Sequence, residues 1–171
     1  PVVMMSYVNA VLAGGERAFF ERAAAAGVAG VIVPDVPVEE SEPIRRAASR
    51  AGVALIALAA PTSTDERLEA IGRTAEGFVY CVAVTGVTGG EVSVDRELED
   101  FLARARSHID VPLAVGFGVR TPEHAVAIGA HADGVVMASQ LVRAIADAPD
   151  PATAEQRLEA VCEGVAAALR A

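Results

Sequence analysis

The chain has 171 residues, a formal net charge of −9 and 53% hydrophobic residues, which suit a single domain with a sizeable core. The acidic balance argues against nucleic-acid binding, because neutralising phosphates requires a basic patch. No stretch reaches the ~18 consecutive apolar residues of a membrane span, and no basic-then-apolar signal pattern is found. We therefore expect a cytoplasmic protein with neither nucleic acid nor membrane as a partner.

Cysteine and histidine positions give no sign of a metal site. Cys81 lies in a predicted strand and Cys162 in a predicted helix, so we interpret both as small, reduced core residues. The three histidines are scattered over predicted helices and their ends, and no Cys/His cluster has metal-ligand spacing. We expect no metal ion.

Short apolar runs alternate with helical patterns along the whole chain. The runs predict six buried strands, at 2–6, 30–33, 54–60, 78–84, 112–115 and 134–137. The helical patterns predict helices at 16–26, 39–51, 64–75, 96–107, 122–128, 139–146 and 152–169. Ser63 or Thr64 is the expected cap of the third helix, and Thr121 that of the fifth.

A strand followed by a helix, repeated six times, predicts right-handed βαβ units and a parallel sheet. An open doubly wound sheet and a (β/α)₈ barrel both fit this pattern. Polar or glycine residues follow every strand, and in a barrel all these ends face one mouth, so we favour the barrel. Six units are two short of a TIM barrel. We therefore predict an α/β fold in which residues 1–171 form one partial barrel domain, strands 3–8, with the first two units missing.

The glycine-rich loop at 85–90 follows the fourth predicted strand directly. Glycine permits positive φ angles and close approach of backbone N–H groups to an anion. Such a loop at the carboxyl end of a parallel strand can hold a phosphate or serve as a mobile lid. The alternative is a connection without chemistry.

A second candidate phosphate site lies after the last two strands, where barrels often bind phosphate. These loops hold Gly116-Phe117-Gly118 and Ala138-Ser139. The N-terminus of the helix at Ser139 offers free N–H groups and the positive end of a helix dipole. Ordinary strand-to-helix turns are the alternative.

Three further residues follow predicted strands or lie at their ends. Asp35 stands between two prolines and could act on a substrate, anchor a loop, or be a solvated turn residue. Tyr7 and Tyr80 are the only tyrosines, and with Phe117 they would form an aromatic wall suited to a flat ring; simple packing is the alternative. Glu39-Glu40 is interpreted as an acidic first turn of a helix.

Four segments carry a resemblance to a known enzyme family. They are Met5-Ser6-Tyr7-Val8-Asn9, Asp35-Val36-Pro37-Val38-Glu39-Glu40-Ser41, Gly86-Val87-Thr88-Gly89 and Gly116-Phe117-Gly118-Val119. In this order and spacing, over essentially all 171 residues, the chain resembles the tryptophan synthase alpha subunit from its third barrel strand onward.

The resemblance implies a lyase that cleaves indole-3-glycerol phosphate into indole and glyceraldehyde 3-phosphate, a retro-aldol step of tryptophan biosynthesis. Protonation of the indole ring requires a carboxyl acid/base. In the family this is a glutamate at the end of strand two, and an aspartate in the following loop holds the indole N–H; both are expected upstream of Pro1. We therefore expect the 171 residues alone to be inactive. The resemblance implies no cofactor in this chain and a beta-subunit partner that carries pyridoxal phosphate.

The resemblance also implies roles for individual residues. Tyr80 and Thr88 would support catalysis. The substrate pocket would be formed by Met5, Tyr7, Ile32, Asp35 and Phe117. Phosphate would bind at Gly89, Gly118, Ala138 and Ser139. Asn9 and Pro37 would face the beta subunit.

Two positions depart from the family pattern. Ala138 stands where glycine is usual, so a positive φ there would cost about 1 kcal/mol. Ala83 replaces a frequent serine. The alternatives are a stand-alone indole-releasing lyase, another phosphate-binding barrel such as a sugar-phosphate isomerase, and a non-catalytic phosphate-binding or regulatory partner. A partial barrel would also expose two strand edges and apolar surface, so we expect the chain to self-associate or to be loosely packed.

Overall fold

The computed structural model describes residues 1–82, 96–116, 119 and 121–170. The strands are β1 Val2–Met5, β2 Val28–Ile32, β3 Ala54–Ala59, β4 Val79–Val82, β5 Leu113–Gly116 and β6 Gly134–Val136. The helices are α1 Val8–Leu12, α2 Glu16–Ala25, α3 Glu42–Arg50, α4 Asp65–Thr74, α5 Arg96–His108, α6 Pro122–Gly129, α7 Ser139–Ala146 and α8 Pro151–Arg170, with a 3₁₀ turn at Val38–Glu40.

All six predicted strands are present, and they form one parallel sheet in the order β1-β2-β3-β4-β5-β6. Consecutive strands therefore lie side by side, each joined to the next through helix. The sheet is curled, as in part of a barrel, and the predicted fold class is confirmed. In the described part of the chain, β1 and β6 each pair with one neighbour.

The helices differ from the prediction at two places. The helix expected over 39–51 is divided into the 3₁₀ turn and α3, where the Ser41 hydroxyl donates to the Val38 carbonyl at 2.8 Å. Pro43 lies in the first turn of α3, where its missing N–H costs nothing. The five-residue α1 was not predicted, because one turn gives too little periodicity to recognise. The caps at Thr64 and Thr121 are confirmed, since each hydroxyl accepts an N–H at 3.3 Å.

The helices cover one face of the sheet, which we call the outer face. One cluster of fully buried residues joins β4 and β5 to α4 and α5, with Phe101, Leu113 and Ile71 at most 1% exposed. A second cluster joins β2 to α1, α2 and α3, with Val31 and Phe20 completely buried. Burial of apolar side chains on this face supplies most of the driving force for folding.

Charged side chains tie the helix layer to the strand beginnings. The Asp133 carboxylate accepts the backbone N–H of Leu113 at 2.8 Å and a guanidinium N–H of Arg106 at 2.6 Å. These two donors, that of Leu113 first, hold the pKa of Asp133 below its usual value. The loop before β6 is thereby fixed to both β5 and α5.

The two cysteines have different environments. Cys81 in β4 is buried, and burial raises its pKa to about 12, so this thiol stays protonated and unreactive. Cys162 in α8 is exposed. The prediction of a core position is therefore wrong for Cys162, because that residue lies on the solvent side of an outer helix.

Large apolar side chains near the terminal strands of the sheet are exposed. Val2 and Met5 on β1, and Val142 and Ile145 on α7 after β6, are each more than half exposed. This surface agrees with the expectation of self-association, which stays a prediction. Among the described residues, no helix is long and apolar enough to cross a membrane.

Candidate functional site at the inner face of the sheet

The face opposite the helices, which we call the inner face, holds the candidate site. Paired residues of parallel strands point to the same side, and the register pairs Met5 with Ile32 and Ile32 with Ile56. Ile32, Ile56 and Tyr80 form the buried cluster of this face. The sheet thus brings together Ile32 and Tyr80, two of the predicted site residues, with Met5 in the same layer.

Tyr80 lies across a strip of small residues on the inner face. The register pairs it with Ala114, which in turn pairs with Gly134. A Cβ at position 116 would overlap the Tyr80 hydroxyl and ring, so only glycine at that position allows this tyrosine conformation. Burial raises the pKa of the Tyr80 hydroxyl, which therefore stays protonated at neutral pH and can donate a hydrogen bond.

Tyr7 and Met5 lie at the carboxyl end of β1 and are exposed, by 67% and 53% of their surfaces. Tyr7 is the N-cap of α1 and does not belong to the cluster around Tyr80. Among the described residues, the two tyrosines therefore do not form one packed wall. Their predicted roles in a pocket for a flat ring stay predictions.

Asp35 follows β2 in the loop between the two prolines, and it accepts a hydrogen bond from the backbone N–H of Val8 at 2.9 Å. Of the uses considered for this carboxylate, the structure provides the anchor of a loop. It joins the end of β2 to the start of α1, which the sequence pattern did not reveal.

Ser139 is the first residue of α7, and Ala138 is its N-cap. Ala138 has φ −129° and ψ −52°, so the positive φ considered from the sequence is absent. The cost of about 1 kcal/mol for a non-glycine residue therefore does not apply here. The first N–H groups of α7 have no partner within the helix, which makes this end suited to an anion.

A cavity of about 440 Å³ lies between α3 and α4, beside β3. Its lining includes Ala57 and Ala59 of β3, Ile44 of α3, Ile71 of α4 and, at the strand ends, Asp35. The small alanines of β3 leave this space open between the two helices. Sequence reasoning missed the cavity, although the alanine content of β3 is its visible signal.

The predicted partner-facing residues lie close to these strand ends. Asn9, in α1, and Pro37, before the 3₁₀ turn, are both exposed. The predicted residues Thr88, Gly89, Phe117 and Gly118, together with the departure at Ala83, lie outside the described residues. Within the described part, no group of three or more His, Cys, Asp or Glu could hold a metal ion.

A sequence profile for the tryptophan synthase alpha chain matches residues 1–170. The chain belongs to this family. The alpha chain of Bordetella bronchiseptica is 47% identical over 161 residues, which are 94% of this chain and 56% of that protein. The alpha chain of Rippkaea orientalis is 40% identical, over 99% of this chain and 64% of that protein.

Solved structures of the tryptophan synthase alpha family have the same fold. The alpha subunit from the a2b2 complex of Pyrococcus furiosus superposes with a TM-score of 0.89 at 36% identity, covering 98% of this chain and 67% of that one. A subunit from Legionella pneumophila superposes with a TM-score of 0.87 at 30% identity, covering 99% of this chain and 63% of that one. The present chain therefore spans between about half and two thirds of the length of these relatives.

Proposed function

We propose that this chain forms part of a tryptophan synthase alpha-type lyase, which cleaves indole-3-glycerol phosphate into indole and glyceraldehyde 3-phosphate. The observation that carries the proposal is the family match over residues 1–170. The inner face supports it, because apolar residues and a buried tyrosine lie beside a strip of small residues. The reported relatives give no support to a sugar-phosphate isomerase or a regulatory partner.

In this proposal, indole would lie on the inner face near Ile32, Met5 and Tyr80. The first and last of these are less than 9% exposed, and apolar walls suit a flat aromatic ring. Tyr80, kept protonated by burial, would donate a hydrogen bond to the carboxyl group that protonates the ring. The family's glutamate for that task lies outside the positions that this chain matches. Thr88 would orient the family's aspartate.

The phosphate group would lie at the N-terminus of α7, against the N–H groups of Ser139 and its neighbours, with Gly89 and Gly118 completing the site. Backbone donors and the helix dipole allow an acidic protein to hold an anion here without a basic side chain. Ala138 fits this role, because its negative φ does not require glycine.

The proposed partner is a tryptophan synthase beta subunit, by analogy with the a2b2 complex of the Pyrococcus furiosus protein. Asn9 and Pro37 are exposed near the ends of β1 and β2, where they would face that subunit. Pyridoxal phosphate would belong to the beta subunit, and the alpha-type chain would need no cofactor. We infer a cytoplasmic location for the assembly.

The test uses the purified 171-residue chain and measures the binding of indole and of glyceraldehyde 3-phosphate by NMR titration. We expect both to bind and shift amides of the inner face and of the start of α7. Ser139→Asp should weaken the binding of glyceraldehyde 3-phosphate at least about tenfold, since a carboxylate there repels the phosphate, while the helix dipole stabilises that carboxylate. The melting temperature should therefore not fall.

The matched control is Ser139→Ala, which keeps every backbone N–H group and should bind glyceraldehyde 3-phosphate nearly as well. Binding of glyceraldehyde 3-phosphate without indole would indicate a phosphate barrel of another class. If Ser139→Asp leaves the affinity for glyceraldehyde 3-phosphate unchanged, the proposed phosphate site is contradicted. Indole release from indole-3-glycerol phosphate, assayed in a longer protein containing this chain, tests the reaction itself.

A further inference from the structure

The structure holds α1 at two points. At its start, the N–H of Val8 donates to the Asp35 carboxylate. Near its end, Val11 is completely buried and packs in the cluster that contains Val33 and Ile44. A helix of five residues is too short to be stable by itself, so these two contacts determine where it lies.

The link at Asp35 continues the pairing of β1 with β2 beyond the strands. The N–H of Ser6 donates to the Ile32 carbonyl at 3.0 Å, which extends the ladder by one bond. Tyr7 stands between this bond and the Val8 bond to Asp35. The backbone on both sides of Tyr7 is therefore fixed to the segment that follows β2.

We propose that Asp35 is a positioning residue that fixes Tyr7 at the mouth of the inner face, and that it does so through the N–H of Val8 rather than by contact with substrate. The part of this inference that concerns indole binding rests on the proposed function. The sequence alone was compatible with three roles for the Asp35 carboxylate, and the family resemblance placed it in the substrate pocket.

The surroundings of Asp35 favour the indirect role. Its Oδ1 atom is already engaged by Val8. Asp35 also lines the cavity between α3 and α4, away from Tyr80. Of the inner-face cluster, Ile56 reaches that cavity, whereas Ile32 and Tyr80 do not line it. The flanking prolines restrict the backbone of the loop, so the carboxylate is held in place for Val8 at little entropic cost.

The experiment compares Asp35→Ala with Asp35→Asn in the 171-residue chain. Asparagine keeps an oxygen that can accept the Val8 N–H, whereas alanine removes it. For Asp35→Ala we expect hydrogen exchange of the Val8 amide to accelerate about fivefold, the usual effect of losing a helix cap. Indole should bind roughly two- to tenfold more weakly, because Tyr7 must then be ordered on binding. Asp35→Asn should restore both values to near those of the parent chain.

Asp150→Ala is the matched control. Asp150 accepts the backbone N–H of Thr153 at 2.9 Å at the start of α8, so its loss also removes a carboxylate cap, at a distant site. This variant should accelerate exchange at Thr153 and leave both Val8 exchange and indole binding unchanged. A general loss of packing would instead affect both regions together.

Three results would overturn the positioning role. If Asp35→Ala leaves hydrogen exchange at the Val8 amide unchanged, the positioning role loses its structural basis. Failure of Asp35→Asn to restore indole binding, with Val8 exchange restored, would show that the charge itself acts on the ligand. Equal loss of indole binding in Asp150→Ala would reduce the effect to general stability. If the parent chain binds no indole, the proposed function fails, and Val8 exchange decides the role of Asp35 by itself.

Discussion

The outer and inner faces of the sheet are held in different ways. On the outer face, two clusters of buried side chains fill the space between strands and helices. On the inner face, only Ile32, Ile56 and Tyr80 form a buried cluster among the described residues, and small residues accompany them on β5 and β6. Apolar burial on the outer face therefore supplies most of the folding energy, whereas the inner face is where we propose that the ligand binds.

The largest expected effect comes from a pair of matched leucine truncations. Leu113 on the outer face is completely buried, so Leu113→Ala should lower the free energy of unfolding by about 2–5 kcal/mol. Leu58 pairs with Tyr80 on the inner face and is only half-buried, so Leu58→Ala should cost about half as much or less. Urea denaturation of both variants measures the difference. Equal losses would contradict the division of roles between the faces.

A smaller effect is expected on the inner face at Gly116. A Cβ at this position would overlap the Tyr80 ring, so Gly116→Ala should cost about 1–3 kcal/mol through overpacking. In combination with Tyr80→Leu the cost should shrink, because the clashing atoms are gone; a double-mutant cycle measures this coupling.

Gly134→Ala is the control for the glycine substitution. Its Cβ would meet the Ala114 side chain at an ordinary 3.8 Å, and we expect a change within about 0.5 kcal/mol. A cost at Gly116 that persists without the tyrosine would show that the backbone, and not Tyr80, requires glycine there.

The sequence predicted the repeated strand-helix pattern well, because short apolar runs and amphipathic helices have distinct patterns. Burial was predicted less well, since three of the four β1 residues are exposed. Contacts between distant segments could not be predicted in this way. The bond from Val8 to Asp35 spans 27 positions, and the fit of Tyr80 against Gly116 depends on the register of β4 and β5. Neither of these two contacts leaves a local pattern in the sequence. The exposure of Cys162 was missed because α8 packs outside the helices next to the sheet.

The smallest effect is expected at Ala138, where family resemblance and observed geometry lead to opposite predictions. If this position required a positive φ, Ala138→Gly would stabilise the chain by about 1 kcal/mol. The observed φ of −129° removes that gain. Glycine is a better N-cap than alanine, but it also increases the conformational entropy of the unfolded chain, which costs about 0.4–1 kcal/mol of stability. These opposing terms predict a net change within about 0.5 kcal/mol, measurable by urea denaturation. Binding of glyceraldehyde 3-phosphate should also be nearly unchanged, because the N–H groups of α7 remain in place. A stabilisation near 1 kcal/mol would contradict the negative φ of Ala138, and the proposed phosphate site would then contain a strained residue.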